Sequence, residues 1–211
     1  MAKAKTEAAP TRKMSKKTRL QAFMHQEIFN AAARAMEKQN FAMVTMDDVA
    51  REMGGSKGTI YYYFSSREEL MTSMALYSMK ITINALQPIA DNKSLGPVEK
   101  MEQIIRTEVL VLCQNWLLNR ALWTNAWWSG MDDANARKIG RVRTNYVKFL
   151  AGLMSEIDKG RERKLNYETR ARMIFYFIES VTGWFTGGGP VSPEQAADEA
   201  VRIIMGSIKP A

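Results

Sequence analysis

The sequence contains very little histidine and cysteine, since His25 and Cys113 are the single copies of these residues. One cysteine excludes an internal disulfide, and its apolar setting, VLVLCQNWLL, is typical of a small buried core residue rather than a reactive thiol. Several histidine and cysteine ligands for a metal are excluded as well, and a Ser–His or Cys–His nucleophile is hard to assemble. The three glycines before Pro190 follow no strand, so they form no phosphate-binding loop. We therefore expect no enzyme activity, no metal and no cofactor.

Long apolar runs and strand-like alternation are also absent. No stretch reaches the about 18 consecutive apolar residues that a membrane-spanning helix needs. The first residues contain no apolar segment before a cleavage site, so we expect no signal peptide, a cytoplasmic location and no membrane partner. Apolar residues recur instead at helical spacing along most of the chain, which predicts an all-α fold.

Positive charge is present in excess and is concentrated at the start of the chain. The formal net charge is +8. Residues 1–19 contain seven lysines and arginines against the single acidic residue Glu7. Such a segment is typical either of a protein with a polyanionic partner or of a solubilising tail. We predict that residues 1–17 form a disordered basic arm.

The helical pattern predicts a small domain over residues 18–66 and a larger one over residues 67–211. In the small domain, a first helix runs from Thr18 to about Asn40 and is followed by two short helices. In the large domain, helices are predicted at 67–87, 97–119, 120–129, 132–157 and 166–187 and from Ser192 onward, with 97–119 and 120–129 either separate or joined by a kink.

The two short helices form the most informative local pattern. Thr45 caps the first, Gly54–Gly55 supply a turn, and Ser56 caps the second. Ile60 and Phe64 lie four residues apart and would anchor the second helix. Successive helical residues differ by about 100°, so at least one of the three adjacent tyrosines beside these anchors must be exposed. This is the logic of a helix-turn-helix, although capped short helices with a glycine turn also occur in helical proteins that bind no DNA.

The segment VTMDDVAREMGGSKGTIYYYFSSREELM resembles the DNA-binding segment of the tetracycline-repressor (TetR) family of bacterial regulators, continuously from Thr45 to Leu70. Three positions depart from the family pattern, since Gly55 replaces a valine in the turn, Ser65 replaces a common lysine and Arg67 stands where lysine is typical. The resemblance implies a three-helix helix-turn-helix DNA-binding domain followed by a helical bundle for ligand binding and dimerisation.

The resemblance also implies a set of DNA contacts. Thr45 and Tyr61 would contact phosphates, to which hydroxyl groups donate hydrogen bonds. Lys57, Thr59 and Tyr62 would face bases, where a threonine suits a thymine edge. The full predicted DNA-contact set is Thr45, Met46, Ser56, Lys57, Gly58, Thr59, Tyr61, Tyr62, Tyr63 and Arg67.

The helix over residues 167–186 is apolar over more than one face. Its apolar residues exceed what one core stripe needs, so a second buried surface is expected, although a helix inside the chain's own core would also fit. In the TetR family, the last two helices of two chains form a four-helix dimer interface. The residues predicted for a homodimer interface are Phe175, Ile178, Val201, Ile204 and Ile208.

The ending WFTGGGPVSPEQAADEAVRIIMGSI resembles a TetR subgroup that includes regulators released by acyl-CoA thioesters, but Thr186 and Gly187 replace an Arg-Pro pair of that subgroup. Four of the five tryptophans also lie within thirteen residues, which favours either an apolar cavity or plain core packing. Basic residues that follow could hold an anionic head group or form a solvated face. The predicted ligand set is Trp116, Trp123, Trp127, Trp128, Arg141, Tyr146 and Trp184.

These observations favour a dimeric repressor that binds a palindromic operator, with its two reading helices about 34–36 Å apart. A small hydrophobic or acyl-CoA-like effector in the C-terminal bundle would release it by differential affinity for two states. Two alternatives stay open at this point: a DNA-binding regulator without a small-molecule ligand, and a helical carrier or enzyme for hydrophobic molecules.

Overall fold

A computed structural model describes residues 15–39, 43–123, 132–159 and 166–208. All regular secondary structure in these ranges is helical, which confirms the all-α fold class. Nowhere in them does a helix combine the length and the apolar character that crossing a membrane requires. The helices are α1 (Lys16–Lys38), α2 (Met46–Met53), α3 (Lys57–Tyr63), α4 (Arg67–Asp91), α5 (Pro97–Gln114), α6 (Trp116–Trp123), α7 (Asp133–Ile157), α8 (Tyr167–Glu179), α9 (Val181–Trp184) and α10 (Pro193–Ile208).

Side-chain caps decide where several helices begin. The Ser15 hydroxyl accepts a hydrogen bond from the backbone N–H of Thr18 at 3.1 Å, so α1 begins at Lys16, slightly earlier than predicted. At α10, Ser192 and Gln195 exchange side-chain to backbone hydrogen bonds, which confirms the predicted capping arrangement. Residues 1–14 of the predicted basic arm lie outside the described residues, whereas Lys16 and Lys17 belong to α1, so the predicted disorder is wrong for these two.

Several helix ends differ from the prediction, and the predicted helix 166–187 ends at Glu179 and is followed by the short helix α9. Helix α4 passes Pro88 and ends at Asp91, because a proline near the end of a helix removes a single backbone hydrogen bond. The Asn92 N–H then bonds to the Ile89 carbonyl at 3.2 Å and closes the last turn. The predicted helix 97–119 is divided at Asn115, where the backbone leaves helical geometry.

Two buried clusters of apolar side chains form the core. One lies among α1, α2, α3 and the first half of α4, and Leu118 and Ala121 of α6 and Ile139 of α7 complete it. The other joins α5, α7, α8 and α10 with Leu86 of α4, and Trp116 of α6 packs against it. Helices α4, α6 and α7 therefore contribute to both the N-terminal unit and the C-terminal bundle.

The shared helices bear on the predicted domain boundary at residues 66 and 67. Leu70 and Met74 of α4 are fully buried in the N-terminal cluster, on the C-terminal side of that boundary. The predicted boundary thus coincides with the start of α4, while the first half of α4 packs with the N-terminal cluster on the other side of that boundary. The division into domains stays a prediction.

Candidate functional site

Helices α2 and α3 form a compact pair joined by a tight turn. At the start of α2, the Asp48 N–H bonds to the Thr45 hydroxyl at 3.2 Å, and the Thr45 N–H bonds to the Asp48 carboxylate at 2.9 Å. The Thr45 N–H and the Thr45 hydroxyl, which donates to the same carboxylate at 2.7 Å, lower the pKa of Asp48 to about 2, so the cap is ionised near neutral pH. At the end of α2, Gly54 has a φ of 69°, which a residue with a side chain rarely adopts.

Helix α3 is fixed by one face and presents the other to solvent. Ile60 and Phe64 are buried, and the Phe64 ring centroid lies 4.9 Å from that of His25 and 5.6 Å from that of Phe29. On the opposite side, Tyr61 is 45% exposed and Tyr62 is 77% exposed. The anchor residues named from the sequence therefore set the orientation of two exposed phenols.

Lys57 adds positive charge to this exposed face. Its ammonium group lies 2.9 Å from the Asp47 carboxylate on α2 and 5.8 Å from the centroid of the Tyr61 ring. The hydrogen bond to Asp47 raises the pKa of Lys57 above its usual value, so the cation is retained. Lys57, Tyr61 and Tyr62 form what we call the reading face.

The remaining predicted contact residues have different surroundings. The Ser56 hydroxyl caps α3 and lies 3.0 Å from the Thr59 hydroxyl. The Arg67 Nε donates to the Val44 carbonyl at 2.8 Å and ties the start of α4 to the segment before α2. The side chain of Met46 is buried in the N-terminal cluster, so the prediction that it contacts DNA is wrong for that side chain.

Two further predicted contact residues lie at the edge of the reading face. Gly58 is exposed on α3, and a Cβ there would make an ordinary van der Waals contact with the Ser56 hydroxyl oxygen at 3.7 Å. Tyr63 is half-buried, with its ring edge-on to those of His25 and Tyr62 at centroid distances of 5.6 and 5.0 Å. Tyr63 therefore supports the reading face through Tyr62.

A cavity of about 570 Å³ lies in the C-terminal bundle, between α4, α5, α6, α7 and α8. This volume is within the range of pockets that hold small molecules. Apolar side chains such as Met79, Leu86 and Phe175 form much of its wall. The cavity thus offers room for an apolar molecule next to a few polar groups.

The polar groups of the cavity include two carboxyl groups. Glu108 is 1% exposed, and its carboxylate accepts a hydrogen bond from the Tyr146 hydroxyl. Burial raises the pKa of Glu108 to about 8. Burial likewise raises the pKa of Glu179 to about 7, against the opposing effect of the Arg143 cation. On the same wall, the Ser78 hydroxyl donates to the Asn119 amide oxygen at 2.5 Å.

Of the ligand residues predicted from the sequence, Tyr146 lines the cavity. Arg141 is exposed away from it, and Arg143 is the arginine of α7 that faces it. Trp184 is half exposed, and Trp116 packs against the C-terminal core, so neither lines the cavity and both predictions require correction. The Trp123 side chain and the residues Trp127 and Trp128 lie outside what the structure describes.

The ligand set predicted from the sequence omits Glu108 and Glu179, because tryptophan density and positive charge were the features that favoured a ligand site. A signal was available, since each glutamate interrupts an apolar helical stripe, in RTEVLVLC and in FYFIESV. A carboxyl group at such a position is seldom buried without a partner or a function.

The turn after α9 approaches Trp116 closely. A Cβ at Gly187 would lie 2.3 Å from the Trp116 Nε1, far inside a van der Waals contact. We expect Gly187→Ala to lower the free energy of unfolding by about 1–3 kcal/mol, since either the indole or the turn must move. Urea unfolding followed by circular dichroism measures this effect. Gly152→Ala on α7 is the matched control, because open space surrounds that position; equal stability of the two variants would contradict the close contact.

The predicted dimer-interface residues are mostly inside the chain's own core. Ile178 is 0% exposed, and Phe175, Ile204 and Ile208 are also buried within the chain. These four predictions are wrong because their side chains retain almost no surface for a partner to cover, and Val201 packs against the same core. The large apolar side chains that stay exposed on α8, α9 and α10 are Met173, Tyr176, Phe177, Trp184 and Ile203.

Comparison with known families agrees with this geometry. The family model described as bacterial regulatory proteins, tetR family, matches residues 28–74, which hold the α2–α3 pair. The model described as the tetracyclin repressor-like C-terminal domain matches residues 94–208, which hold most of the bundle. A helix-turn-helix unit on such a bundle defines a DNA-binding transcription regulator rather than an enzyme. The chain belongs to the tetR family of bacterial regulatory proteins.

Individual relatives are more distant. The fatty acid metabolism regulator protein of Bacillus subtilis (strain 168) is 24% identical over 163 residues, which span 76% of this chain and 82% of that protein. The ketosteroid transcriptional regulator KstR2 of Mycobacterium tuberculosis superposes with a TM-score of 0.77 at 17% identity, over 89% of this chain and 95% of that one. AibR in complex with isovaleryl coenzyme A and operator DNA gives a TM-score of 0.71 at 20% identity, over 85% and 97% of the two chains. At these identities the two solved structures show a shared fold alone.

Proposed function

We propose that this protein is a homodimeric repressor that binds a palindromic operator through the reading face and leaves it when a small hydrophobic or acyl-CoA-like effector occupies the cavity. The observation that carries the proposal is the α2–α3 pair, in which Ile60 and Phe64 are buried while Lys57, Tyr61 and Tyr62 are exposed. The protein acts in the cytoplasm, where the bacterial chromosome is accessible.

The reading face has the chemistry that DNA requires. Its lysine supplies positive charge for phosphates, and its phenols donate hydrogen bonds to phosphate or base edges. Asp47 holds the Lys57 ammonium above Tyr61, so the cation is positioned before DNA arrives. We assign phosphate contact to Thr45 and Tyr61 and base contact to Lys57, Thr59 and Tyr62.

Two copies of the chain would place two reading faces on one DNA duplex. The exposed apolar side chains Met173 and Phe177 of α8 and Ile203 of α10 leave apolar area that a second chain can cover. The Arg170 guanidinium donates to the Ser207 carbonyl at 2.6 Å, so the start of α8 lies against the end of α10. We propose this surface as the dimer interface.

The effector would act through helices that belong to both clusters. Helix α4 lines the cavity with Ser78, Met79 and Thr82, while its first half packs in the N-terminal cluster. Helix α6 lines it with Asn119 and packs on α1 through its other side. A ligand that moves α4 or α6 would change the distance between the two reading faces of a dimer. It would shift the equilibrium between the DNA-binding conformation and the released conformation only as far as its affinities for these two conformations differ.

The names of related proteins suggest the kind of effector. The relatives include a fatty acid metabolism regulator, a ketosteroid regulator and a protein solved with isovaleryl coenzyme A. All three names concern molecules with an apolar body, which suits a cavity whose wall is largely apolar. This similarity supports a hydrophobic or acyl thioester effector for the present protein.

The test is a comparison of Lys57→Ala and Tyr61→Ala with the unchanged protein. An operator is first enriched from random DNA duplexes, and binding to it and to an unrelated duplex is then measured by fluorescence anisotropy at several salt concentrations. We expect each variant to bind the operator roughly ten-fold more weakly, and Lys57→Ala to reduce the salt slope by about 1.

The matched control is Lys148→Ala, which removes an exposed lysine of α7 far along the chain from the reading face. Circular dichroism establishes that all variants are folded. Full operator affinity in both Lys57→Ala and Tyr61→Ala would contradict the assignment of this face.

A further inference from the structure

Three charged side chains line the cavity among the described residues: Glu108 on α5, Arg143 on α7 and Glu179 on α8. With both carboxyl groups ionised, these side chains leave the cavity with one negative charge in excess. Arg143 already interacts with Glu179, and its guanidinium lies 5.9 Å from the centroid of the Phe175 ring. The cation that the cavity contains is therefore engaged with one carboxylate and an aromatic face.

Among the residues that the structure describes, no cation acts on Glu108 in this way. Its carboxylate is enclosed by the bundle and receives a hydrogen bond from the Tyr146 hydroxyl, which is a neutral donor. The charge of Glu179 acts on Glu108 unfavourably, so the two carboxyl groups are close enough to repel each other. Two like charges on the wall of one cavity are stabilised by a proton or by a cation placed beside them.

We propose that the effector of this cavity is an amphipathic amine, whose ammonium group pairs with the carboxylates of Glu108 and Glu179 while its apolar body occupies the rest of the cavity. The inference rests on the proposed function, because it narrows the effector class for the same cavity. A monocation would bring the charge of the ionised cavity to zero. A carboxylate or phosphate head group would instead bring it to two or more negative charges, at a large desolvation cost.

The proposal predicts a pH dependence with a definite sign. In the empty cavity the pKa of Glu108 is about 8 and that of Glu179 about 7, because burial disfavours their ionised forms. Ammonium binding requires the ionised forms, so binding releases protons and the affinity rises with pH. Tyr146, Tyr176 and Arg143 are the other titratable side chains facing the cavity from α7 and α8; those of α4 and α6 are uncharged.

An alkyl amine has an ammonium like that of lysine, with an ordinary pKa of about 10.4, so the ligand stays charged between pH 6 and pH 8. Over this interval Glu179 changes from mostly protonated to mostly ionised. We therefore expect the amine to bind at least ten-fold more tightly at pH 8 than at pH 6, since ionisation of Glu179 alone gives about this factor and ionisation of Glu108 adds to it.

The experiment uses three ligands that share one chain: n-decylamine, n-decanol and n-decanoate. Their binding to the full-length protein is measured by isothermal titration calorimetry at pH 8, below the concentrations at which they form micelles. We expect decylamine to bind at least ten-fold more tightly than decanol, and decanoate to bind most weakly. Titrations in buffers of different ionisation enthalpy measure the proton release.

Two variants locate the head group. Glu179→Gln and Glu108→Gln keep the shape of the side chain and remove its charge, so each is expected to weaken decylamine binding about ten-fold and to leave decanol binding nearly unchanged. The ranking of the three ligands and its pH dependence are measured on the unchanged protein, so they test the proposal even if a variant fails to fold.

Tighter binding of decanoate than of decylamine, no binding of decylamine at pH 8, or unchanged decylamine binding in both folded variants would overturn the proposal. Operator release is measured separately by anisotropy. If the amine bound in the cavity without releasing DNA, the proposed release of the repressor by an effector would be contradicted, while the proposal that the cavity binds an amine would stand. Release of DNA by an acyl thioester with decylamine inactive would overturn the amine proposal and keep the repressor.

Discussion

Replacing Phe64 by alanine is expected to melt the N-terminal unit ahead of the bundle and to abolish operator binding. Phe64 is 2% exposed and lies where the end of α3 meets α1, against the rings of His25 and Phe29. Removing a buried phenylalanine ring costs about 3–5 kcal/mol, because apolar contacts are lost and a cavity remains. Since a whole domain is stable by only about 5–15 kcal/mol, this loss is enough to populate unfolded forms of the unit.

The matched control for Phe64→Ala is Tyr62→Ala, which removes an aromatic ring from the opposite face of the same helix. Tyr62 is mostly exposed, so we expect its removal to weaken operator binding while the unfolding midpoint stays within experimental error. Thermal and urea unfolding followed by circular dichroism, together with anisotropy on the operator, separate the two effects. If Phe64→Ala kept the unfolding midpoint and the operator affinity of the unchanged protein, the anchoring role of Phe64 would be refuted.

Local chemistry made the α2–α3 pair predictable from the sequence. Three helices are capped by a hydroxyl group that accepts a hydrogen bond from the backbone N–H three residues later, at Thr45, Ser56 and Ser66. This spacing can be recognised in the sequence. Gly54 adopts the positive φ that the double glycine suggested. Ile60 and Phe64 are buried as their four-residue spacing predicted. Interactions within a few residues determine the caps and the turn, and the four-residue spacing identifies the helix face that packs on α1.

The cavity could not be predicted in the same way, because its residues come together from five helices. Glu108 and Tyr146 are 38 positions apart in the sequence, and their hydrogen bond depends on how α5 packs against α7. Arg141 and Arg143 lie two positions apart in the sequence, yet of the two only Arg143 faces the cavity. Residues two positions apart on a helix point in directions that differ by about 200°. Periodicity alone did not determine which face of α7 turns inward.

The dimer surface shows a related limit of periodicity. The apolar excess of α8 indicated two buried surfaces, but it did not say which residues belong to the chain's own core. Ile178 packs inside the chain, while Met173 and Phe177, four residues apart on the next face, are 69% and 39% exposed. A partner chain can cover only area that the chain itself leaves exposed, so the interface proposal follows Met173 and Phe177 rather than Ile178.

Replacing Phe177 by aspartate is accordingly expected to convert the protein to a monomer and to weaken operator binding at least a hundred-fold. The new carboxylate would be desolvated in the dimer without a partner, whereas in the monomer it stays in water. Because each chain carries one reading face, separating the two chains removes the effective concentration that links the second contact to the first, a factor of about 10²–10⁴. Light scattering after size-exclusion chromatography gives the mass, and anisotropy gives the operator affinity.

Leu20→Asp is the matched control for Phe177→Asp, since Leu20 of α1 is also an exposed apolar side chain but lies outside the proposed interface. We expect this control to keep the dimer mass. A dimer that survived Phe177→Asp with unchanged mass at micromolar concentration would place the interface elsewhere. If the dimer were lost and the operator affinity stayed unchanged, a single reading face would be enough for binding, because the second reading face would add no affinity.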